Sequence, residues 1–328
     1  MEDNIIQPLA KTVEHGTSAI DKFMGIIKNR SDLKYNRELK EIEKTSLRET
    51  IDIIENANIP IVYNKDGLGI INPQMQRLLE RTSNRLKAQE ILKQVNIENV
   101  LEKTQMVLEE NKKNGDDTAS EEPINNDFLT QFINGAGEIS DQDMQQMWAK
   151  LLAGEIKQPQ SFSLRTLSKL KTMTTNEAKL FERIVPYIIG NEYIVRNEEL
   201  LGNFNVTYID LLCLQDCGIV SLEGATKNYH DGANILYNNL ISILKYKKDS
   251  AGLNNPKLSV GVYVLTNFGK EINRLVNKSF DNKFFIKFMQ GLKEKNSESF
   301  NITCHNVIEI NANTVKYQEG IDILENYK

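Results

Sequence analysis

The sequence is poor in the residues that build disulfide or metal frameworks. It has three cysteines, Cys213, Cys217 and Cys304, and three histidines among 328 residues. Three cysteines are too few, and odd in number, for a disulfide framework, and they suit a reducing compartment. A structural zinc site needs about four clustered nitrogen or sulfur ligands, whereas the histidines are scattered along the chain. We therefore expect neither a disulfide scaffold nor a metal site.

Long apolar runs and the signature motifs of catalysis are also missing. No uncharged apolar stretch approaches the ~18–20 residues that span a bilayer, and the first residues, Met-Glu-Asp-Asn, carry acids where a signal peptide carries cations. The chain contains no phosphate-binding loop and no zinc-protease, hydrolase or kinase motif. We expect a non-enzymatic protein that needs no cofactor and works in the cytoplasm.

A surplus of positive charge is likewise absent. The chain carries 40 Lys and Arg against 45 Asp and Glu, a formal net charge of −5. Because phosphate neutralisation supplies most of the affinity of nucleic-acid binders, this balance disfavours a nucleic-acid partner without excluding a local basic patch. A protein partner or self-association is the leading expectation.

The first part of the chain, 1–110, is predicted to be a helical bundle or hairpin. Apolar residues recur at helical spacing over 5–27, over 33–57 and along a long helix at 73–110. The apolar face of 5–27 fits a docking helix, and the alternative is an amphipathic segment that lies on a membrane. Residues 111–123 are polar and acidic, which predicts a linker.

A helical hairpin is predicted over 124–174. Ser140-x-x-Asp143 resembles a capping box that opens one of its helices, with Asp in place of the usual Glu. Thr174-x-x-Glu177 has the full capping-box pattern and opens the next helix. Side-chain caps of this kind satisfy backbone N–H groups that a helix start leaves free.

Residues 175–280 are predicted to be a winged-helix-like unit, because helices precede short apolar runs that are typical of a β-ribbon. Residues 281–328 form an α/β tail. The helix at the position of a recognition helix, 207–217, carries Asp210 and Asp216 and no Lys or Arg. The predicted fold class is therefore mainly α: an N-terminal helical bundle or hairpin, a helical hairpin and a winged-helix-like α+β unit.

A small basic ribbon, Lys245, Lys247 and Lys248, is the candidate nucleic-acid contact. The winged-helix-like unit as a whole contains 11 basic and 11 acidic residues, so its net charge is zero. Protein packing is the leading interpretation of this unit, and DNA binding through the ribbon is the alternative.

A block of residues carries a family resemblance. The run MWAKLLAGE at 147–155 is followed by PQSFSLRTL at 159–167. These runs resemble the hallmark of a bacterial family, domain-of-unknown-function family 2806, and of the related Abi-alpha group, named for abortive infection of phage-infected cells. The sequence departs from the family at Gln160, where the family tends to have glycine. The hallmark residues, predicted to be structural, are Trp148, Leu152, Gly154, Glu155, Pro159, Ser161, Arg165 and Leu167.

The resemblance implies a role in phage defence and supplies no catalytic residues. Our leading hypothesis is a non-enzymatic protein-interaction component of bacterial phage defence, with self-association through residues 74–110 as one form of contact. One alternative is a DNA-binding transcriptional regulator. Another is a membrane-acting toxic effector that works through the amphipathic segment 5–27.

Overall fold

The chain forms two compact units, Met1–Leu164 and Arg165–Lys328. The computed structural model describes residues 18–27, 61–64, 67–70, 73–247, 257–277, 279–311 and 314–327. The helix predicted over 33–57 lies outside the described residues. The finer division of the chain, with an acidic linker at 111–123, stays a prediction.

Helices make up most of the described part of the first unit. Its elements are α1 (19–27), β1 (Ile61–Asn64), β2 (Gly67–Ile70), α2 (Pro73–Lys113), α3 (Asn126–Gly137) and α4 (Gln142–Lys157). The two strands pair with each other as an antiparallel hairpin. Helix α2 packs on α3 and α4 through residues near its C-terminal end, where Val100, Thr104 and Leu108 are buried.

Side-chain caps fix where the helices of the first unit begin. The Asn125 side chain caps α3 by accepting hydrogen bonds from backbone N–H groups of the first turn. Helix α4 is capped by Asp141, whose carboxylate accepts a hydrogen bond from the Met144 N–H. The helix therefore begins after Asp141, which is a simple cap, and not after Ser140 as the predicted capping box requires; Asp is as good a cap as Ser.

The second unit mixes helices and strands. Its elements are α5 (Leu164–Thr172), which begins at the unit boundary, α6 (Thr175–Ile184), a 3₁₀ turn (Val185–Tyr187), β3 (Ile188–Ile189), β4 (Tyr193–Val195), α7 (Glu198–Gly202), α8 (Tyr208–Asp216), β5 (Val220–His230), β6 (Asn234–Tyr237), β7 (Leu240–Tyr246), β8 (Lys257–Leu265), α9 (Asn267–Ile272), α10 (Asn282–Lys295), β9 (Phe300–Asn311), β10 (Thr314–Tyr317) and α11 (Ile323–Asn326). The capping box at Thr174 and Glu177 is confirmed, with both reciprocal hydrogen bonds present.

Two antiparallel sheets of four strands organise this unit. One has the order β3-β4-β8-β5 and the other the order β10-β9-β7-β6. In the first sheet, β5 pairs with β8 from Val220 opposite Leu265 to His230 opposite Lys257. In the second, β7 pairs with β9 from Leu240 opposite Asn306 to Tyr246 opposite Phe300.

The expectation of a mainly α fold is wrong, and the protein is α+β. The strands extend well beyond the short apolar runs that the sequence displays. Strand β5 continues to His230 through polar side chains that are exposed or half-buried. Apolar periodicity detects the buried positions of a strand, so it misses a segment whose side chains mostly face solvent.

The winged-helix arrangement is not confirmed, because the expected ribbon divides between the two sheets. Strand β8 pairs with β5 and β4, as a wing would. Strand β7 leaves this sheet and pairs instead with β6 and β9. The apolar runs of β7 and β8 look alike in the sequence but belong to different sheets. The local sequence therefore does not indicate which strand each of them pairs with.

Within the described residues, none of the helices combines the length and the apolarity that a bilayer span requires.

Candidate functional site

The hallmark block folds as α4, a short loop and the start of α5. Trp148, Leu152 and Leu167 are each at most 2% exposed. Pro159 in the loop is buried as well, whereas Arg165 is exposed. Most of the block therefore supplies core packing, with one charged side chain facing solvent.

A buried carboxylate, that of Glu155, holds the loop after α4. The side chain is 1% exposed. Its two oxygens accept hydrogen bonds from the Gln160 N–H at 2.6 Å, the Ser161 hydroxyl at 3.2 Å and the Phe162 N–H at 3.2 Å. Hydrogen bonds to an ionised acceptor are about twice as strong as neutral ones. Glu155 is therefore the anchor that sets the loop conformation.

The same loop explains two other positions of the block. A Cβ at Gly154 would lie 2.8 Å from the Phe162 ring, so the ring needs a glycine beneath it. Gln160 has φ 65°, in the left-handed region that favours glycine. The backbone at Gln160 therefore suits the glycine that the family resemblance implies at this position.

A cation from α1 reaches the same region. The Lys22 ammonium donates to the carbonyl oxygens of Ser120 at 2.8 Å, Glu122 at 2.7 Å and Ile156 at 3.1 Å. Burial lowers the pKa of Lys22, and the nearby carboxylates of Glu155 and Glu122 oppose that shift. Lys22 therefore ties α1 to the last turn of α4, where helix carbonyls lack intrahelical donors.

Sequence reasoning missed Lys22. Its acceptors lie 98 to 134 residues away along the chain, so no local spacing relates them. A lysine on a mixed-charge amphipathic helix looks the same whether its ammonium faces solvent or a set of carbonyls.

The Trp148 ring is enclosed by α3. Its centroid lies 5.2 Å from that of Phe132, and a Cβ at Gly135 would overlap the indole. The Trp148 Nε1 is buried and has no hydrogen-bond partner within the described residues. The hallmark tryptophan is therefore a packing residue whose shape requires glycine opposite it.

The predicted basic ribbon is only partly available for contact. Lys245 is exposed on β7, opposite Asn301 of β9. The Lys247 ammonium donates to the Ser297 carbonyl at 2.6 Å. Lys248 lies outside the described residues.

The thiols and His305 have structural surroundings. Burial raises the pKa of Cys217 and of Cys304 to about 12, so both stay protonated and are poor nucleophiles at neutral pH. The His305 ring bonds the Ile321 carbonyl through Nδ1 and the Thr303 hydroxyl through Nε2. The described residues contain no group of three or more His, Cys, Asp and Glu placed to hold a metal ion.

An exposed apolar surface lies on the N-terminal half of α2. Leu78 and Leu86 are 48% and 43% exposed, and Ile91, Leu92 and Val95 are 64%, 63% and 46% exposed. Ile91, Leu92 and Val95 share one face of the helix, since Val95 is four residues after Ile91 and three after Leu92, whereas Leu86 lies on the opposite face. Single exposed leucines are common on protein surfaces, whereas clustered apolar side chains mark interaction sites. We name residues 77–95 of α2 the exposed half of the helix.

Comparison with known proteins gives one match. A model of the protein family described as protein of unknown function (DUF2806) matches residues 80–290. No curated protein and no solved structure matches the chain. The matched residues include the hallmark block and residues 80–95 of the exposed half of α2. The resemblance to domain-of-unknown-function family 2806 is confirmed, and the relation to the Abi-alpha group stays a prediction.

Proposed function

The chain belongs to DUF2806, a family of proteins of unknown function, and on that premise we propose that it is a non-enzymatic protein-interaction component of bacterial phage defence. The defence context is supported by the block at 147–167, which resembles the Abi-alpha abortive-infection group. The protein would act in the cytoplasm. The observation that carries the interaction role is the exposed half of α2.

The exposed half of α2 needs an explanation because it lacks the packing that usually stabilises a helix. Every described side chain from Arg77 to Val95 is exposed except Thr82, which is half-buried. Most helical stability in proteins comes from the tertiary packing of an apolar face. A protein partner that covers Ile91, Leu92 and Val95 would supply that packing.

Mutation of the exposed half tests the proposal in phage-challenged cells. The double change Ile91→Glu and Leu92→Glu places charge on the surface without touching the buried core. We expect plaque counts on cells with this variant to equal those on cells lacking the gene, and both to exceed those on wild-type cells. Cross-linking from the exposed half should also lose its partner, whether another protein or a second copy.

Ile308→Glu is the matched control. Ile308 is 70% exposed and lies on β9 of the second unit, so the same chemical change is made at a site outside α2. It should leave both protection and cross-linking unchanged. Equal plaque counts with and without the gene, together with no cross-linked partner, contradict the proposal.

The two alternative functions have less support. For a membrane-acting effector, the apolar face of α1 would have to be available, yet Ala19 and Phe23 are each 1% exposed within the protein. For a DNA-binding regulator, Lys247 is engaged with Ser297 and the helix α8 presents no cation. Residues 5–17 of the predicted amphipathic segment lie outside the described residues.

A further inference from the structure

A cleft in the second unit combines aromatic, amide and cationic groups. Its volume is about 610 Å³, and its lining includes Tyr187, Asn238, Phe280, Asn282 and Lys283. This volume is within the range of about 300–1,000 Å³ for small-molecule sites, although the cleft is an open surface groove and not an enclosed cavity. The lining residues come from the 3₁₀ turn, the β6–β7 turn and the start of α10, so the fold gathers them from distant parts of the chain.

The aromatic part of the cleft is rigidly supported. The Phe280 ring is 42% exposed and meets the Tyr237 ring edge to face, with centroids 5.2 Å apart. Tyr237 in turn stacks on the buried Phe285 at 4.8 Å. Its hydroxyl donates to the Pro186 carbonyl and accepts a hydrogen bond from the Asp281 N–H. Phe280 therefore offers a planar ligand an exposed ring that is held from behind.

The amides beside this ring are oriented by one another. Asn238 Nδ2 donates to Asn239 Oδ1 at 3.1 Å and to Asn282 Oδ1 at 3.2 Å. Asn282 Nδ2 donates to Asn239 Oδ1 at 2.9 Å. These three hydrogen bonds do not use Asn238 Oδ1. Oriented amides of this kind read the donors and acceptors on the edge of a nucleobase.

A positive charge lies at the rim. Lys283 is exposed, and the Lys287 ammonium, one turn further along α10, lies 5.7 Å from the Phe204 ring. The Asp281 carboxylate is engaged as the cap of α10, where it accepts from the Lys283 and Phe284 N–H groups. Among the lining residues, the Lys283 ammonium therefore stands beside one acid, Asp281, whose carboxylate already accepts backbone hydrogen bonds.

We propose that this cleft binds a nucleobase that carries a phosphate, with the base stacked on Phe280, its edge against Asn238 and Asn282, and the phosphate at Lys283. Aromatic stacking with a nearby cation is the usual means of holding an unpaired base. The same chemistry is present in a free nucleotide and in a single-stranded nucleic acid. The proposal is independent of the α2 surface and of a role in phage defence.

Two binding measurements on the full chain separate these sources. Calorimetric titration with AMP, GMP, CMP and UMP tests free nucleotides, and fluorescence anisotropy with labelled ten-nucleotide DNA and RNA tests single strands. We expect at least one probe to bind and Phe280→Ala to weaken it about 5- to 150-fold, the range for loss of base stacking. Phe280→Tyr should retain binding, because the stacking ring remains.

Two further variants keep the test valid if Phe280→Ala fails to fold. Asn238 has φ 54°, a backbone conformation that glycine adopts freely, so Asn238→Gly removes the amide and keeps the turn. Lys283→Glu places an acid in the first turn of α10, where it is compatible with the helix dipole. Asn238→Gly should lower the affinity of the tightest-binding base more than that of the other bases. Lys283→Glu should reduce the salt dependence of binding.

The control is Tyr208→Ala, which removes an aromatic ring that is 51% exposed on α8 and does not line the cleft. It should leave binding unchanged. Binding of mononucleotides alone assigns a free nucleotide, and binding of oligonucleotides alone assigns a single strand. No binding of any probe at millimolar concentration, or equal losses from Tyr208→Ala and the cleft variants, overturns the proposal.

Discussion

The two halves of α2 have the same secondary structure and opposite surroundings. In the packed half, Val100, Thr104 and Leu108 are at most 1% exposed, whereas in the exposed half Ile91 and Leu92 are more than 60% exposed. One continuous helix therefore passes from a core into solvent. The comparison shows that an apolar stripe predicts a helix but does not predict what covers it.

The difference comes from the neighbours and not from local propensity. Helices α3 and α4 pack on α2 near its C-terminal end. At the N-terminal end of the packed half, the Asn96 amide donates a hydrogen bond to the Gly137 carbonyl of α3 at 2.9 Å. A Cβ at Gly137 would contact the Lys93 and Ile97 side chains. From Arg77 to Glu90, the described side chains of α2 are exposed, apart from the half-buried Thr82.

The largest expected contrast is between two leucine truncations in this one helix. Leu108→Ala removes a side chain that is 1% exposed and should lower the free energy of unfolding of the first unit by about 2–5 kcal/mol. Leu92→Ala removes one that is 63% exposed and should change it by less than about 0.5 kcal/mol. Urea denaturation followed by fluorescence reports on this unit, because Trp148 is the only tryptophan in the chain.

A loss of more than about 1 kcal/mol from Leu92→Ala in the isolated protein would contradict the assignment of an exposed half, since such a loss requires a side chain that is already covered. An effect that grows with protein concentration would identify the cover as a second copy.

The next contrast compares two glutamates. Glu155→Gln keeps the shape of the buried side chain but replaces charge-assisted hydrogen bonds, and it should destabilise the first unit by about 1–3 kcal/mol. Glu90 pairs with Lys93 at 2.8 Å on the exposed half, and Glu90→Gln should cost less than about 0.5 kcal/mol. The same denaturation experiment measures both, and equal effects would argue against the role of Glu155 as the loop anchor.

Features set by neighbouring residues were predictable from the sequence. The capping box at Thr174 and Glu177 forms as its spacing indicates, because both partners belong to one helical turn. Trp148 and Leu152 are buried on α4, as helical spacing predicts. The family resemblance of the block at 147–167 was recognisable for the same reason, since the hydrogen bonds of Glu155 to the loop lie within this short stretch.

Features that depend on distant pairing were not predictable. Strand β6 pairs with β7, while β9 pairs with both β7 and β10, and nothing in the apolar runs distinguishes these partners. Lys22 and its carbonyl acceptors share no local pattern. The cleft beside Phe280 assembles only when the 3₁₀ turn, the β6–β7 turn and α10 come together, so its amides look like ordinary turn residues in the sequence.

A smaller contrast concerns the point where support ends along α2. Asn96→Ala removes the hydrogen bond to Gly137 and should cost about 0.5–1.5 kcal/mol. Gln94 forms a hydrogen bond only within the helix, to Glu98, and Gln94→Ala should cost about 0.2–0.5 kcal/mol. Amide hydrogen exchange would sharpen the result, since Asn96→Ala should extend fast exchange from the exposed half toward Val100. Unchanged amide exchange between Asn96 and Val100 would mean that the packed half of α2 begins on the C-terminal side of Asn96.

The smallest expected effect has the opposite sign. Gln160 occupies the left-handed region at φ 65° and its side chain is exposed, so Gln160→Gly removes strain without removing a contact of the backbone N–H with Glu155. The net gain in the free energy of unfolding should be about 0.5–1 kcal/mol, after the extra chain entropy of glycine is subtracted from the relieved strain. Gln158→Gly is the matched control, because Gln158 has φ −136° and glycine there brings only the entropic cost. If Gln160→Gly lowers the free energy of unfolding as Gln158→Gly does, the Gln160 side chain must make a stabilising contact. Glu155 would then not be the only group that holds the loop.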